Sequence, residues 1–167
     1  MLDYGFCIKN NEWETVQFTQ RLHRPDEPDE LFKKIKNVLN RAGLNGLRSL
    51  KLGQEGGFGK GLMFYRIVNL TLEEIDSILG EDVNECGTRK IEHTVINKSN
   101  EIKALHAYIS LLSTFDVSNL NDDLGLLENV DVCGRLRTAV MYRVERMKIV
   151  KNAFEMCEEG VRRISLM

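Results

Sequence analysis

Apolar residues recur every three or four positions through the last third of the chain: Leu136, Val140, Val144, Met147, Val150, Phe154, Cys157, Val161 and Ile164. That spacing predicts one long helix of roughly eight or nine turns. Both prolines lie before residue 30, so none interrupts it. Upstream, Ile102, Leu105, Ile109 and Leu112 make an apolar stripe on a helix that begins near Ser99. A short helix is expected over 119–127, capped by Asn119 or Asn121. Leu31, Phe32, Ile35, Val38 and Leu39 define a further helix. It starts around Asp26-Glu27-Pro28-Asp29, where carboxylates meet the positive dipole end and proline suits the first turn. Gly43 is its expected stop.

The front half follows a different rhythm. Val16-Gln17-Phe18-Thr19-Gln20-Arg21-Leu22 alternates apolar and polar, which predicts a half-buried strand. Leu47, Leu50 and Leu52 belong to a short extended piece running into a Gly-dense loop over 53–61. The apolar run 62–68 is too short for its period to type it. The sharpest local signal is Thr71-Leu72-Glu73-Glu74, a capping box in which Thr71 and Glu74 bond reciprocally. Leu70 and Ile75 are placed as its hydrophobic staple. Residues 80–98 are polar and read as loop-rich, and no repeat or low-complexity tract appears. The whole is mainly α, a helical bundle-like architecture with a small β element near the front.

Composition narrows the function classes. A chain of 167 residues suits one compact domain, or one domain plus a short segment. With 43% apolar and 29% charged residues it has material for both a core and a solvated surface. A net charge of −2 gives no basic excess for reading phosphates, so no nucleic-acid partner is expected. Cys7, Cys86, Cys133 and Cys157 are far apart, and His23, His93 and His106 do not complete a zinc spacing, so no metal is expected. Unpaired thiols suit a reducing compartment. The N-terminus lacks a basic segment followed by an apolar run, and no stretch is apolar for long enough to span a bilayer. A cytoplasmic or nuclear location follows, with no membrane partner.

Candidate chemistry is sparse. The 53–61 loop is no Walker A motif, because Gln54 stands where the first glycine belongs and Gly61 follows Lys60 in place of Ser or Thr. Nor does its context supply the βαβ unit of a dinucleotide fingerprint, so it reads as a turn. No histidine lies near a nucleophile signature. Glu73/Glu74, Asp122/Asp123 and Glu158/Glu159 are adjacent pairs, whose members point to different helix faces and share no acid–base task. Arg135, Arg137, Arg143, Arg146, Lys148, Lys151, Arg162 and Arg163 interleave with Glu145, Glu155, Glu158 and Glu159 on the last helix. The default reading is a solvated face of mixed sign. A partner bound there would be an acidic or extended polypeptide.

Leu2-Asp3-Tyr4-Gly5-Phe6, a loop with Asn10-Asn11 and the strand around Phe18 resemble the end of the SET domain in the Rubisco large-subunit methyltransferase class of protein-lysine methyltransferases. The resemblance continues through Asn100-Glu101-Ile102-Lys103-Ala104-Leu105 and Arg137-Thr138-Ala139-Val140-Met141-Tyr142-Arg143. It implies the terminal segment of a SET domain over 1–22 and a helical substrate-binding domain over 23–167. It also implies a catalytic role for Tyr4, whose hydroxyl would orient a neutral lysine amine at the methyl-transfer channel. The partner so implied is a lysine-bearing protein substrate; the oligomeric state is left open. In that class the S-adenosylmethionine site is built mainly upstream of the Tyr motif, from an Asn-His pair and a Gly-containing turn that this sequence does not carry. The cofactor is therefore expected in a full-length parent and not for this chain alone, with Met1 as an internal or truncated start. Two alternatives stand beside the inactive substrate-binding domain: a fragment active when complemented by a SET half, and a non-enzymatic helical adaptor.

Overall fold

The 3.6-residue repeats form helices and the alternating segment forms a strand. A computed structural model describes residues 15–19, 29–44, 49–53, 59–80, 91 and 95–166. In chain order these give β1 (Thr15–Thr19), α1 (Asp29–Arg41), β2 (Ser49–Gly53), α2 (Gly59–Val68), α3 (Leu72–Gly80), α4 (Lys98–Leu112), α5 (Leu120–Glu128) and α6 (Gly134–Leu166). Among the described residues the fold is mainly α, with one two-stranded sheet. The strands run antiparallel, Val16 opposite Leu52 and Phe18 opposite Leu50, and both touch α6.

Local chemistry sets the helix ends. Gly43 takes a φ of +66°, the left-handed conformation that glycine adopts without strain. The Leu44 N–H then bonds back to the Leu39 carbonyl at 2.8 Å and the Gly43 N–H to Asn40 at 3.1 Å, a Schellman closure of α1. The capping box of α3 forms as expected: Thr71 N–H donates to Glu74 Oε2 at 2.7 Å, and Glu74 N–H donates to Thr71 Oγ1 at 3.3 Å. Leu70 and Ile75 are both buried beside it. Glu74 does a second job, accepting from the Asn97 side chain through Oε1. Asn97 caps α4 by accepting from the Asn100 N–H at 2.8 Å. One carboxylate thereby ties the starts of two helices.

Three expectations are corrected. Gly59, Lys60 and Gly61 form the first turn of α2, not part of a loop; residues 54–58 lie outside the described residues. In agreement with the sequence reading of that loop, the described partner of β2 is the antiparallel β1 and no parallel βαβ unit is formed among the described residues. The inward face of α4 is rotated from the expected stripe: Glu101, Ala104, Leu105, Tyr108 and Leu112 are buried, whereas Ile102 and Ile109 are half-buried. Asn119 precedes α5 without a side-chain cap bond.

Two apolar clusters hold the helices together. The larger joins Ile35, Val38 and Leu39 of α1, Leu62, Phe64 and Ile67 of α2, Ile75 of α3, Leu105, Tyr108 and Leu112 of α4, and Ile149, Val150, Ala153 and Cys157 of α6. The smaller joins Leu120 of α5 to Val140, Val144 and Met147 of α6. α6 runs through both, 33 residues long, which its uninterrupted apolar period requires.

Candidate functional site

Tyr4, with Asp3, Gly5 and Phe6, lies outside the described residues, as do His23 and His93. The described surface offers a groove instead. It opens where the 113–119 connection between α4 and α5 crosses α6, at the seam between the two apolar clusters. Its volume is about 320 Å³, and it is lined by Phe115, Asp116 and Val117 from the connection and Tyr142, Arg143, Arg146, Met147 and Val150 from α6.

The connection is held by its own side chains. Phe115 N–H donates to the Leu112 carbonyl at 3.0 Å, and Thr114 Oγ1 to Leu111 at 2.7 Å. Asp116 Oδ1 accepts from the Ser118 N–H at 2.9 Å and from Ser118 Oγ at 2.6 Å, an Asx turn. Those bonds favour the carboxylate and hold Asp116 below its ordinary pKa, the Ser118 hydroxyl contributing most. On the other wall the lining residues of α6 recur at three- and four-residue spacing, so one helix face supplies all five. Met147 and Val150 form the apolar part of that face, each buried in its own cluster.

The cations of α6 divide into two kinds. Arg143 is bound in a fork by Asp123, its Nε and Nη2 each donating to one carboxylate oxygen; that pairing keeps its guanidinium pKa raised. Lys148 meets Glu145 at 3.1 Å, Lys151 meets Glu155 at 4.0 Å, and Arg162 and Arg163 share Glu159. Arg137 Nη1 donates to the Val132 carbonyl at 3.3 Å. Arg135, Arg137 and Arg146 meet no carboxylate among the described residues, and of these three Arg146 lines the groove. Its Nη1 donates to the Tyr142 hydroxyl at 2.9 Å, its guanidinium carbon lies 5.5 Å from the Tyr142 ring centroid, and it meets no carboxylate among the described residues. Interaction with a ring face is favourable for a guanidinium but leaves its charge unneutralised.

The groove does not fit S-adenosylmethionine. Five of its eight lining residues belong to α6. The amide and carbonyl groups of a helix interior are bonded within the helix, so few backbone groups remain for a nucleoside. Among the described residues no group of three or more His, Cys, Asp and Glu side chains is placed to hold a metal ion, and no helix is long and apolar enough to cross a membrane. His106 is exposed on α4, Cys133 is exposed and Cys157 is buried. One of the acidic pairs splits between surface and core: Asp122 is exposed while Asp123 is buried against Arg143.

Sequence reasoning had Arg143 and Arg146 in view as part of a solvated face and Met147 and Val150 as core. It did not unite them with Phe115, Asp116 and Val117. The only sequence signal for that meeting is the Asp116-Val117-Ser118 turn, which places the connection but does not say which face of α6 it crosses. No curated protein matches the chain. A family model described as Rubisco LSMT substrate-binding matches residues 26–150, from just ahead of α1 into α6, and the chain belongs to that family.

Proposed function

We propose that the chain is the protein-substrate-binding domain of a SET-type protein-lysine N-methyltransferase and does not transfer methyl groups by itself. The family match over residues 26–150 carries this reading. The groove beside α6 supports it, because an apolar cleft with a few oriented polar groups suits a polypeptide segment. In this reading a SET half supplies S-adenosylmethionine and the reacting methyl group. Tyr4, in Asp3-Tyr4-Gly5-Phe6, contributes a phenol hydroxyl that orients the neutral lysine amine, a positioning effect. The helical domain contributes affinity by holding the protein that bears the lysine.

Two measurements test this. Calorimetry of the 167-residue chain with S-adenosylmethionine should give no binding heat; saturable binding would overturn the assignment of the cofactor to the SET half. In the second, an enzyme assembled from a SET half of that class and this chain is supplied with labelled S-adenosylmethionine and a protein extract. It should label discrete lysine-bearing acceptors, and an excess of the isolated chain should suppress that labelling by competing for them. Labelling that persists unchanged under excess chain would remove the substrate-binding role.

A further inference from the structure

We infer that the tip of the α5–α6 hairpin is an interface, and that its partner is the same tip on a second copy of this chain. The inference goes beyond the substrate-binding reading and uses none of the groove residues. It begins with an apolar stripe that outruns its cover. Leu136, Val140 and Val144 recur every four positions along one face of α6. Val140 and Val144 are buried in the smaller cluster, against which Leu124 and Leu127 of α5 pack. α5 ends at Glu128, and Leu136, one turn before Val140, is left 61% exposed. The turn between the helices adds Val130 at 90% exposed, and the last turn of α5 adds Leu126 at 41%. Among the described residues six large apolar side chains are exposed, and three of them fall between 126 and 136. Exposed apolar surface gathered at one place marks an interaction site.

Charge selects the partner. Glu128 and Asp131 bring two negative charges to the tip, Arg135 and Arg137 bring two positive ones, and all four are exposed. None of the four meets an opposite charge among the described residues; Arg137 donates to the Val132 carbonyl. Asp131 and Arg135 are only four positions apart, but Gly134 turns the chain between them at a φ of +57° and they do not pair. The acids thus lie on the α5 side of the turn and the arginines open α6. In a two-fold interface residue i of one copy meets residue j of the other, and j meets i. That arrangement sets the acids of each copy against the arginines of its partner while covering Val130 and Leu136. A wholly acidic or wholly basic surface would face two like charges there, and an apolar one would desolvate four charges without pairing them. Three apolar side chains make a small interface, so the dimer is weak and reversible.

The test uses two complementary variants of the 167-residue chain. Arg135→Glu with Arg137→Glu makes the tip wholly acidic, and Glu128→Lys with Asp131→Lys makes it wholly basic. Sedimentation equilibrium at low salt, from micromolar to millimolar chain, should show the parent passing from monomer to dimer. Each charge variant alone should dimerise at least about ten-fold more weakly, and an equimolar mixture of the two should regain association close to the parent's. Leu136→Ser, which leaves every charge in place, should weaken the dimer about ten-fold or more, since each copy buries one leucine. A parent chain that stays monomeric across that range overturns the inference and leaves the tip to a different partner. So does a dimer that Leu136→Ser leaves intact, which puts the contact elsewhere on the chain. A mixture no more associated than its separate components removes the charge pairing, and with it the second copy as partner.

Discussion

At Gly61 helix α2 passes so close to Tyr108 of α4 that a Cβ would stand 2.8 Å from the phenol oxygen and 3.2 Å from Cζ. The Tyr108 ring is fully buried, so it has no room to withdraw. Alanine is favoured over glycine in a helix interior by about 1 kcal/mol, but overpacking a filled core costs about 1–3 kcal/mol. Gly61→Ala is therefore expected to lower stability. Gly125, in α5, has nothing within 4 Å of its would-be Cβ, and Gly125→Ala should raise stability by up to about 1 kcal/mol. Urea titrations of the two variants check the pair, and a Gly61→Ala protein more stable than its parent would remove the close-approach argument. The two glycines look alike in the sequence, each followed directly by leucine. Only the partner helix separates them, and a partner is a tertiary fact. By contrast, Gly43 and the Thr71–Glu74 box were legible, because a helix end is decided by residues a few positions apart.

Between elements, the strongest polar tie is an ion pair with both members buried. Arg66 of α2 donates from Nε and Nη2 to Glu101 of α4 at 2.6 and 2.7 Å, and from Nη1 to the Ile91 carbonyl at 2.8 Å. The Asn100 side chain donates to the Arg66 carbonyl at 3.0 Å, adding a backbone contact between the same helices. Breaking a buried pair by removing one partner typically costs about 3–5 kcal/mol, because the other charge is left in a poor solvent; replacing both with apolar groups often costs little. Glu101→Leu and Arg66→Met should each destabilise by about that amount, and the double variant should recover most of the loss. A double-mutant cycle in urea measures this, and additive single effects would show that the pair is not a unit. The same pair explains why α4 was misread by a fraction of a turn. Glu101 counts as polar in any hydrophobic pattern, yet its salt bridge turns it inward, carrying Ala104 and Tyr108 into the core and easing Ile102 and Ile109 outward. Likewise the run 62–68 holds one arginine, whose burial depends on a carboxylate 35 positions away. The long repeat of α6 was legible because it is one element with one period. The groove was not, since its two walls meet only after α5 has folded back on α6.

For the molecule as a whole, α6 is the shared support: it contributes to both clusters, contacts the sheet and forms one wall of the groove. The large cluster also encloses Tyr108 and Cys157, which acquire charge only in alkali. Burial pushes the Cys157 thiol up to about 12 from 9.0, and burial, with a smaller contribution from Cys157, raises the Tyr108 phenol above its ordinary 10.0. Both groups are held neutral in the folded state and ionise more readily once the chain unfolds. Their contribution to stability is thus complete below the unfolded-state values and is lost as pH rises toward the folded ones. The folded protein should lose stability progressively from about pH 9 toward pH 12. Cys157→Ala removes one of the two groups and should flatten that decline, even if the smaller side chain lowers stability at neutral pH by leaving a cavity. Urea midpoints measured at intervals from pH 7 to about pH 11 for both proteins separate the two effects, since the cavity shifts every midpoint alike while ionisation changes the slope. An identical slope in the two proteins would show that the thiol is not shielded by the core that α6 shares with α4.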